Sequence, residues 1–269
     1  LTPIVMVGSD EQKEKFLRPI AENADLAAFC LTERNAGSDA GALKTTALPD
    51  GKDLVINGQK CFITSGGMAK VFTVFALTDP ERGARGVSAI IVPADAPGIS
   101  VTKVEDKMGQ RASNTVELTF ENVRVPRANL LGKAGRGFRI ALQTLDFGRS
   151  GVAALSVGVA RAALEYATAY AKTRQQFGSP LISKQGVSFL LADMATKVEA
   201  ARLLTWQAAW IADRGLRVTG KSAMAKCFAA DTAMAVTTDA VQVYGGYGYM
   251  KDYPVEKLMR DAKLLQIYE

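Results

Sequence analysis

Apolar positions along the chain follow two rhythms, and the change falls near Gly137. From about Asp25 to Pro126, short runs rich in Val, Ile, Phe and Thr are separated by clusters of Gly, Asp, Asn and Pro, which is how strands and turns read. Strands are predicted at residues 26–31, 54–57, 60–64, 71–77, 87–92 and 115–125. Asp50-Gly51 and Asn57-Gly58 read as tight turns, since both dipeptides tolerate positive φ. Beyond Gly137 the period becomes helical over 138–173, 185–214 and 219–244. Phe177-Gly178-Ser179-Pro180 and Arg214-Gly215-Leu216-Arg217 make short breaks, the usual join of antiparallel helices. Leu190, Met194, Val198, Ala201, Leu204 and Ala208 form one stripe and are assigned to the core. A last helix is predicted from Pro254 to Glu269. At the start, Ser9-Asp10-Glu11-Gln12 is a capping box opening a helix over 9–22. Its apolar set, Phe16, Leu17 and Ile20, is sparse, so the start reads as a cut edge in want of a partner surface.

Composition narrows the chemistry. With 269 residues and 48% hydrophobic content the chain can bury a sizeable core and make two domains. No apolar run approaches the roughly 18 residues of a membrane span and no signal peptide opens the sequence, so a soluble intracellular protein is expected, in cytoplasm or mitochondrial matrix. Cys30, Cys61 and Cys227 lie far apart without metal-ligand spacing, and are expected as buried small hydrophobes. The net charge of +6 is scattered, without the basic runs of a nucleic-acid surface. Histidine is absent, which removes imidazole triads and leaves a carboxylate as the expected base.

Several segments could hold a ligand, and each has an ordinary alternative. The loop Leu31-Thr32-Glu33-Arg34-Asn35-Ala36-Gly37-Ser38-Asp39 offers hydroxyls at Thr32 and Ser38 and unobstructed N–H groups at Ala36 and Gly37. A plain turn has the same composition. Phe62 and Thr64 before Gly66-Gly67 could face a heterocycle or merely end a strand. Asp146-Phe147-Gly148-Arg149 breaks the helical pattern, for a ligand, for close packing or as an ion pair. Arg174-Gln175-Gln176-Phe177-Gly178 could grip phosphates and a stacked ring, or simply cap a helix. The clusters Gly132 to Gly137 and Gly245 to Gly248 lack the βαβ setting of a nicotinamide site and read as caps.

In order along the chain, these segments join Asn57-Gly58-Gln59-Lys60, Lys107-Met108-Gly109, Tyr253-Pro254-Val255-Glu256, Arg260-Asp261-Ala262-Lys263 and Ile267-Tyr268-Glu269. Together they resemble the acyl-CoA dehydrogenase family, flavoproteins that oxidise the α,β bond of acyl-CoA thioesters, in its short- and medium-chain form. The resemblance implies an α+β fold: residues 1–24 a remnant of an N-terminal helical domain, 25–127 a barrel-like or sandwich β domain, and 128–269 an antiparallel four-helix bundle. It implies FAD, lined by Phe29, Leu31, Thr32, Gly37, Ser38, Phe62, Ile63 and Thr64, with Ser38 shared with the CoA arm. Tryptophan is frequent in the family where Phe62 stands, and proline where Arg34 stands. Asp146, Phe147, Arg149 and Tyr268 would contact substrate. Arg174, Phe177, Gln185, Gln242, Gly245 and Gly246 would reach the FAD of a neighbouring subunit in a dimer of dimers. Glu269 would be the catalytic base, because the position used by other relatives is Gly148. Its pKa is expected to be raised by burial. The implied partners are an acyl-CoA and electron-transferring flavoprotein, with no nucleic acid and no metal; an acyl-CoA oxidase and a non-catalytic CoA- or flavin-binding scaffold are the alternatives.

Overall fold

Three short helices open the chain, α1 (Thr2–Val7), α2 (Asp10–Gln12) and α3 (Arg18–Asn23), with a π-helical turn at Lys13–Leu17 before the last. The computed structural model describes all of residues 1–269 and divides them into two units, residues 1–106 with 111–144, and residues 107–110 with 145–269. The capping box forms as expected: Gln12 N–H donates to Ser9 Oγ at 3.2 Å and Ser9 N–H to Gln12 Oε1 at 3.0 Å. The Gln12 amide also donates to the Ala128 and Leu130 carbonyls. Ile4, Phe16 and Ile20 are buried, so the sparse apolar face finds a surface within this unit.

The first unit is built on one mixed sheet. Its strands are β1 (Ala27–Cys30), β2 (Thr46–Asp50), β3 (Asp53–Thr64), β4 (Val71–Leu77), β5 (Val87–Pro93), β6 (Ile99–Val104), β7 (Thr115–Pro126) and β8 (Leu130–Leu131). They run in the order β6-β7-β3-β2-β4-β5-β8, with β1 parallel to β4. Ala28, Ile56, Val74, Ile90, Leu118 and Val125, from five of these strands, share one core, so the sheet curls around itself. Two strands escape the hydrophobic pattern. Proline at position 49 masks β2, which tolerates it because its only partner on the β4 side is at Thr46. The edge strand β6 is almost wholly exposed and carries Thr102 and Lys103.

The expected turn at Asn57-Gly58 does not exist: residues 53–64 are one strand, irregular between Ile56 and Gly58 and again between Lys60 and Ile63. Gly58 is needed because a Cβ there would lie 2.5 Å from Thr45 Oγ1. Gly51, at φ 59°, does make the tight turn between β2 and β3.

The second unit contains most of α4 (Gly137–Thr173), then β9 (Gln175–Gln176), β10 (Ser179–Pro180), α5 (Gln185–Asp213), α6 (Thr219–Tyr244) and α7 (Val255–Leu265). The helix α4 is long and apolar enough to cross a membrane by length and composition, which the sequence reading did not anticipate. Part of its apolar character is packed inside the unit: Ala160, Ala163, Ala167 and Ala171 are fully buried against Met194, Val198, Ala233 and Val236. Small residues at these contacts let the helices approach closely. Asp146 to Arg149 do not interrupt α4, and the final helix stops at Leu265 rather than reaching Glu269. Cys30 and Cys61 are buried as expected, but Cys227 is exposed.

Candidate active site

In the β unit, the loop after β1 is tied to β3 by a buried ion pair. The Lys60 side chain is completely buried, and its Nζ donates to the Leu31 carbonyl at 3.0 Å and to Glu33 Oε1 at 2.8 Å. Glu33 also accepts the N–H groups of Lys44 and Thr45 at 2.7 and 3.0 Å. Burial pushes the Glu33 carboxyl up, but Lys60 and these donors outweigh it and hold it below the usual range. The Lys60 ammonium is pushed down by burial, against the pull of Glu33. Cys61 N–H donates to the Thr32 carbonyl at 3.0 Å, completing the link.

The second β irregularity turns Phe62 outward at φ 57°, leaving it 65% exposed beside exposed Thr64. Ile63 and Leu31 point into the core, so a ligand could meet them only at the backbone. Phe29 packs against Phe75 with tilted rings, centroids 4.8 Å apart, while Gly37 and Ser38 are exposed. Thr32 and Phe29 are half-buried.

In the helical unit, Glu269 lies against Gly148. A Cβ on that glycine would stand 2.9 Å from both Glu269 carboxylate oxygens, so close packing explains a glycine inside a long helix. Arg149 Nε donates to the Glu269 carbonyl at 2.9 Å and Nη1 to Asp146 at 3.0 Å; Asp146 in turn accepts from Thr219 Oγ1 at 2.7 Å. Desolvation pushes the Glu269 carboxyl above its ordinary value, partly offset by the charges of Arg149 and Lys226. Tyr268 packs against the helical core, and Phe147 is half-exposed.

A cavity of about 780 Å³ in the same unit is lined by Arg174, Gln242, Gly245 and Gly246 together with Tyr170, Tyr244 and Tyr247. Arg174 lies over the Tyr247 ring at 5.4 Å, and Tyr170 stacks on Tyr244 at 4.0 Å. Gly245 caps α6 at φ 62°, and it and Gly246 face open space that a Cβ would enter. Phe177 and Gln185 do not line this cavity. The segment read as a plain break is a hairpin of β9 and β10, whose two turn residues Phe177 and Gly178 both have positive φ. It holds the Phe177 ring 94% exposed at its tip.

Residues 28–123 match the family description "Acyl-CoA dehydrogenase, middle domain" and residues 135–269 match "Acyl-CoA dehydrogenase, C-terminal domain". The chain belongs to the acyl-CoA dehydrogenase family. It is 54% identical over 267 residues to an acyl-CoA dehydrogenase of Bacillus subtilis, covering 99% of this chain and 70% of that protein. Its fold matches butyryl-CoA dehydrogenase from Megasphaera elsdenii at TM-score 0.97 and 50% identity, again over 99% and 70% of the two chains. A chain from a structure of the electron transferring flavoprotein of Acidaminococcus fermentans matches at TM-score 0.98 and 53% identity, with the same coverage. These sources are bacterial.

For an acyl-CoA dehydrogenase the donor set suits FAD. A guanidinium, side-chain amides and unobstructed glycine backbone line an aromatic cavity in one unit, and hydroxyl and ring groups line the Phe62 wall in the other. Sequence reasoning quoted Glu33 and Lys60 as motif letters without seeing their pairing, since it joins residues 27 positions apart. It missed Thr219 and Lys226 altogether, which no local pattern marks.

Proposed function

We propose that this acyl-CoA dehydrogenase oxidises a short-chain acyl-CoA to the trans-2-enoyl-CoA, with Glu269 as the base. The observation that carries the reading is the Glu269 carboxylate, desolvated against Gly148 and raised in pKa while its backbone is tethered by Arg149. A base matched more closely to the operating pH removes a weakly acidic α-proton more effectively. The short-chain assignment is supported by the likeness to butyryl-CoA dehydrogenase.

FAD, when bound, accepts the hydride that leaves the β-carbon. The residues we assign to it are Phe29, Leu31, Thr32, Gly37, Ser38 and Phe62 to Thr64 in one subunit. Arg174, Phe177, Gln185, Gln242, Gly245 and Gly246 come from a neighbour. The Phe177 tip suits such a role, since its ring is almost wholly exposed on its own chain. Glu269 takes the α-proton, and its N–H is the donor assigned to the thioester oxygen, where negative charge develops as that proton leaves. Asp146, Phe147, Arg149 and Tyr268 orient the substrate, and Ser38 holds its CoA arm. Electrons then pass to electron-transferring flavoprotein, a partner supported by the Acidaminococcus match. The bacterial sources of the relatives favour a bacterial cytoplasm over a mitochondrial matrix.

Butyryl-CoA added anaerobically to the FAD-loaded protein should bleach the flavin bands. Glu269→Gln should slow bleaching by about 10³-fold. A Gln variant that bleaches at the wild-type rate overturns the base assignment, hydrogen peroxide formation at the turnover rate in air marks an oxidase, and failure to acquire flavin bands marks a scaffold.

A further inference from the structure

The pairing of β3 with β7 is irregular twice, and an asparagine closes each irregularity. At the first, Asn122 N–H donates to Asn57 Oδ1 at 2.8 Å, and the Asn57 amide donates back to Asn122 Oδ1 at 3.3 Å. At the second, Asn114, the residue before β7, is used twice. Its carbonyl accepts Ser65 N–H at 2.7 Å and its Oδ1 accepts Gly67 N–H at 2.9 Å. Both bonds fall directly after the Phe62 wall. Phe62 and Ser65 each lie in the left-handed region, at φ 57° and 61°, and between them Ile63 and Thr64 pair with Val116 and Thr115. Ile63 is buried, while Phe62 and Thr64 stay exposed on either side of it.

We infer that Asn114 is a positioning residue for the wall of Phe62, Ile63 and Thr64, acting through the turn Ser65 to Gly67. Left-handed backbone at a non-glycine residue is strained and persists only where its surroundings over-determine it. Strand pairing holds one side of Thr64, and Asn114 holds the other. The turn beyond is stiff in itself: the Ser65 carbonyl accepts the N–H groups of Met68 and Ala69 at 2.9 and 2.8 Å, and a Cβ on buried Gly66 would lie 2.6 Å from Val116 Cγ2. Fixing Gly67 therefore fixes Ser65, and Ser65 sets the direction in which Thr64 presents its hydroxyl. The second irregularity is built to face a ligand, and the first only to join strands.

This inference rests on the assignment of that wall to FAD, and the test separates the two. Asn114→Leu keeps the volume and removes the acceptor, whereas Asn114→Asp keeps the acceptor. In the FAD-loaded full chain, Asn114→Leu should release FAD about 3- to 10-fold more readily, the effect of one lost hydrogen bond, and should move the visible flavin bands. Asn114→Asp should match the wild type in both, at an ionic strength that screens its added charge. Asn57→Ala opens the other irregularity, and should lower Tm while leaving FAD affinity and the flavin bands unchanged. If Asn114→Leu behaves in the same way, losing Tm alone, Asn114 is a structural clamp and the inference is overturned. Should Asn114→Leu not fold, Asn114→Ala, which adds no bulk, decides by the same readouts. Phe62→Ala and Thr64→Val test the wall itself. If they alter the flavin and folded Asn114 variants do not, this inference falls alone; if they leave the flavin untouched, the underlying reading falls with it.

Discussion

Two glutamates, one half-buried in the β unit and one exposed at the end of the helical unit, end in opposite states. Glu33 is met by an ammonium and two backbone N–H groups, and its carboxyl is held below the ordinary range. Glu269 is set against a bare glycine, with cations near enough to temper its carboxyl but not to reverse the effect of desolvation, and its carboxyl is raised. Burial therefore does not decide what a carboxylate does. A fully answered one becomes a rivet, and an under-answered one keeps its appetite for a proton.

The largest effect should come from breaking the rivet. Lys60→Met leaves Glu33 buried without its cation and should cost about 3–5 kcal/mol of stability by denaturant titration. Adding Glu33→Gln should recover part of that loss, because the stranded charge is gone; no recovery would mean that the lysine acts through packing alone. Next is Gly148→Ala, whose added methyl displaces the Glu269 carboxylate. We expect kcat to fall by about 10- to 100-fold while Tm holds or rises, since alanine is the better helix former by about 1 kcal/mol. A Tm loss with intact kcat would contradict the close approach.

The smallest effect is in the pH dependence of stability. The Glu33 pKa is depressed on folding, so its contribution is present above the unfolded value and lost as pH falls through the folded one. That of Glu269 is raised, so its contribution is complete below the unfolded value and lost as pH rises through the folded one. Glu33→Gln should flatten the acid side of a Tm against pH curve. Glu269→Gln should raise Tm at neutral pH and leave it unchanged at about pH 4.

The architecture was legible where burial is periodic. The long helices, β4, β5 and β7 were found to within a residue or two because one packed face repeats at 3.6 or 2 residues. Pattern failed where packing is not the cause. Proline hid β2, exposure hid β6, and Asn57-Gly58 carried turn chemistry while serving a strand irregularity. The hairpin behind Phe177 was read as a gap, although its Phe-Gly pair fills the two positive-φ positions. At the candidate site the family resemblance named individual residues but not the ties between them. Nothing local to Gly148 says that it faces a carboxylate 121 positions away.

The contact between Gly148 and Glu269 also constrains how such a sequence can drift. One volume of space is claimed by two positions at opposite ends of the helical unit, and only one of them can fill it. A side chain gained at 148 evicts the occupant from 269, so substitutions at these positions are not independent events. Descent should pass through paired changes or not at all, and the glycine is as heritable a part of the contact as the glutamate.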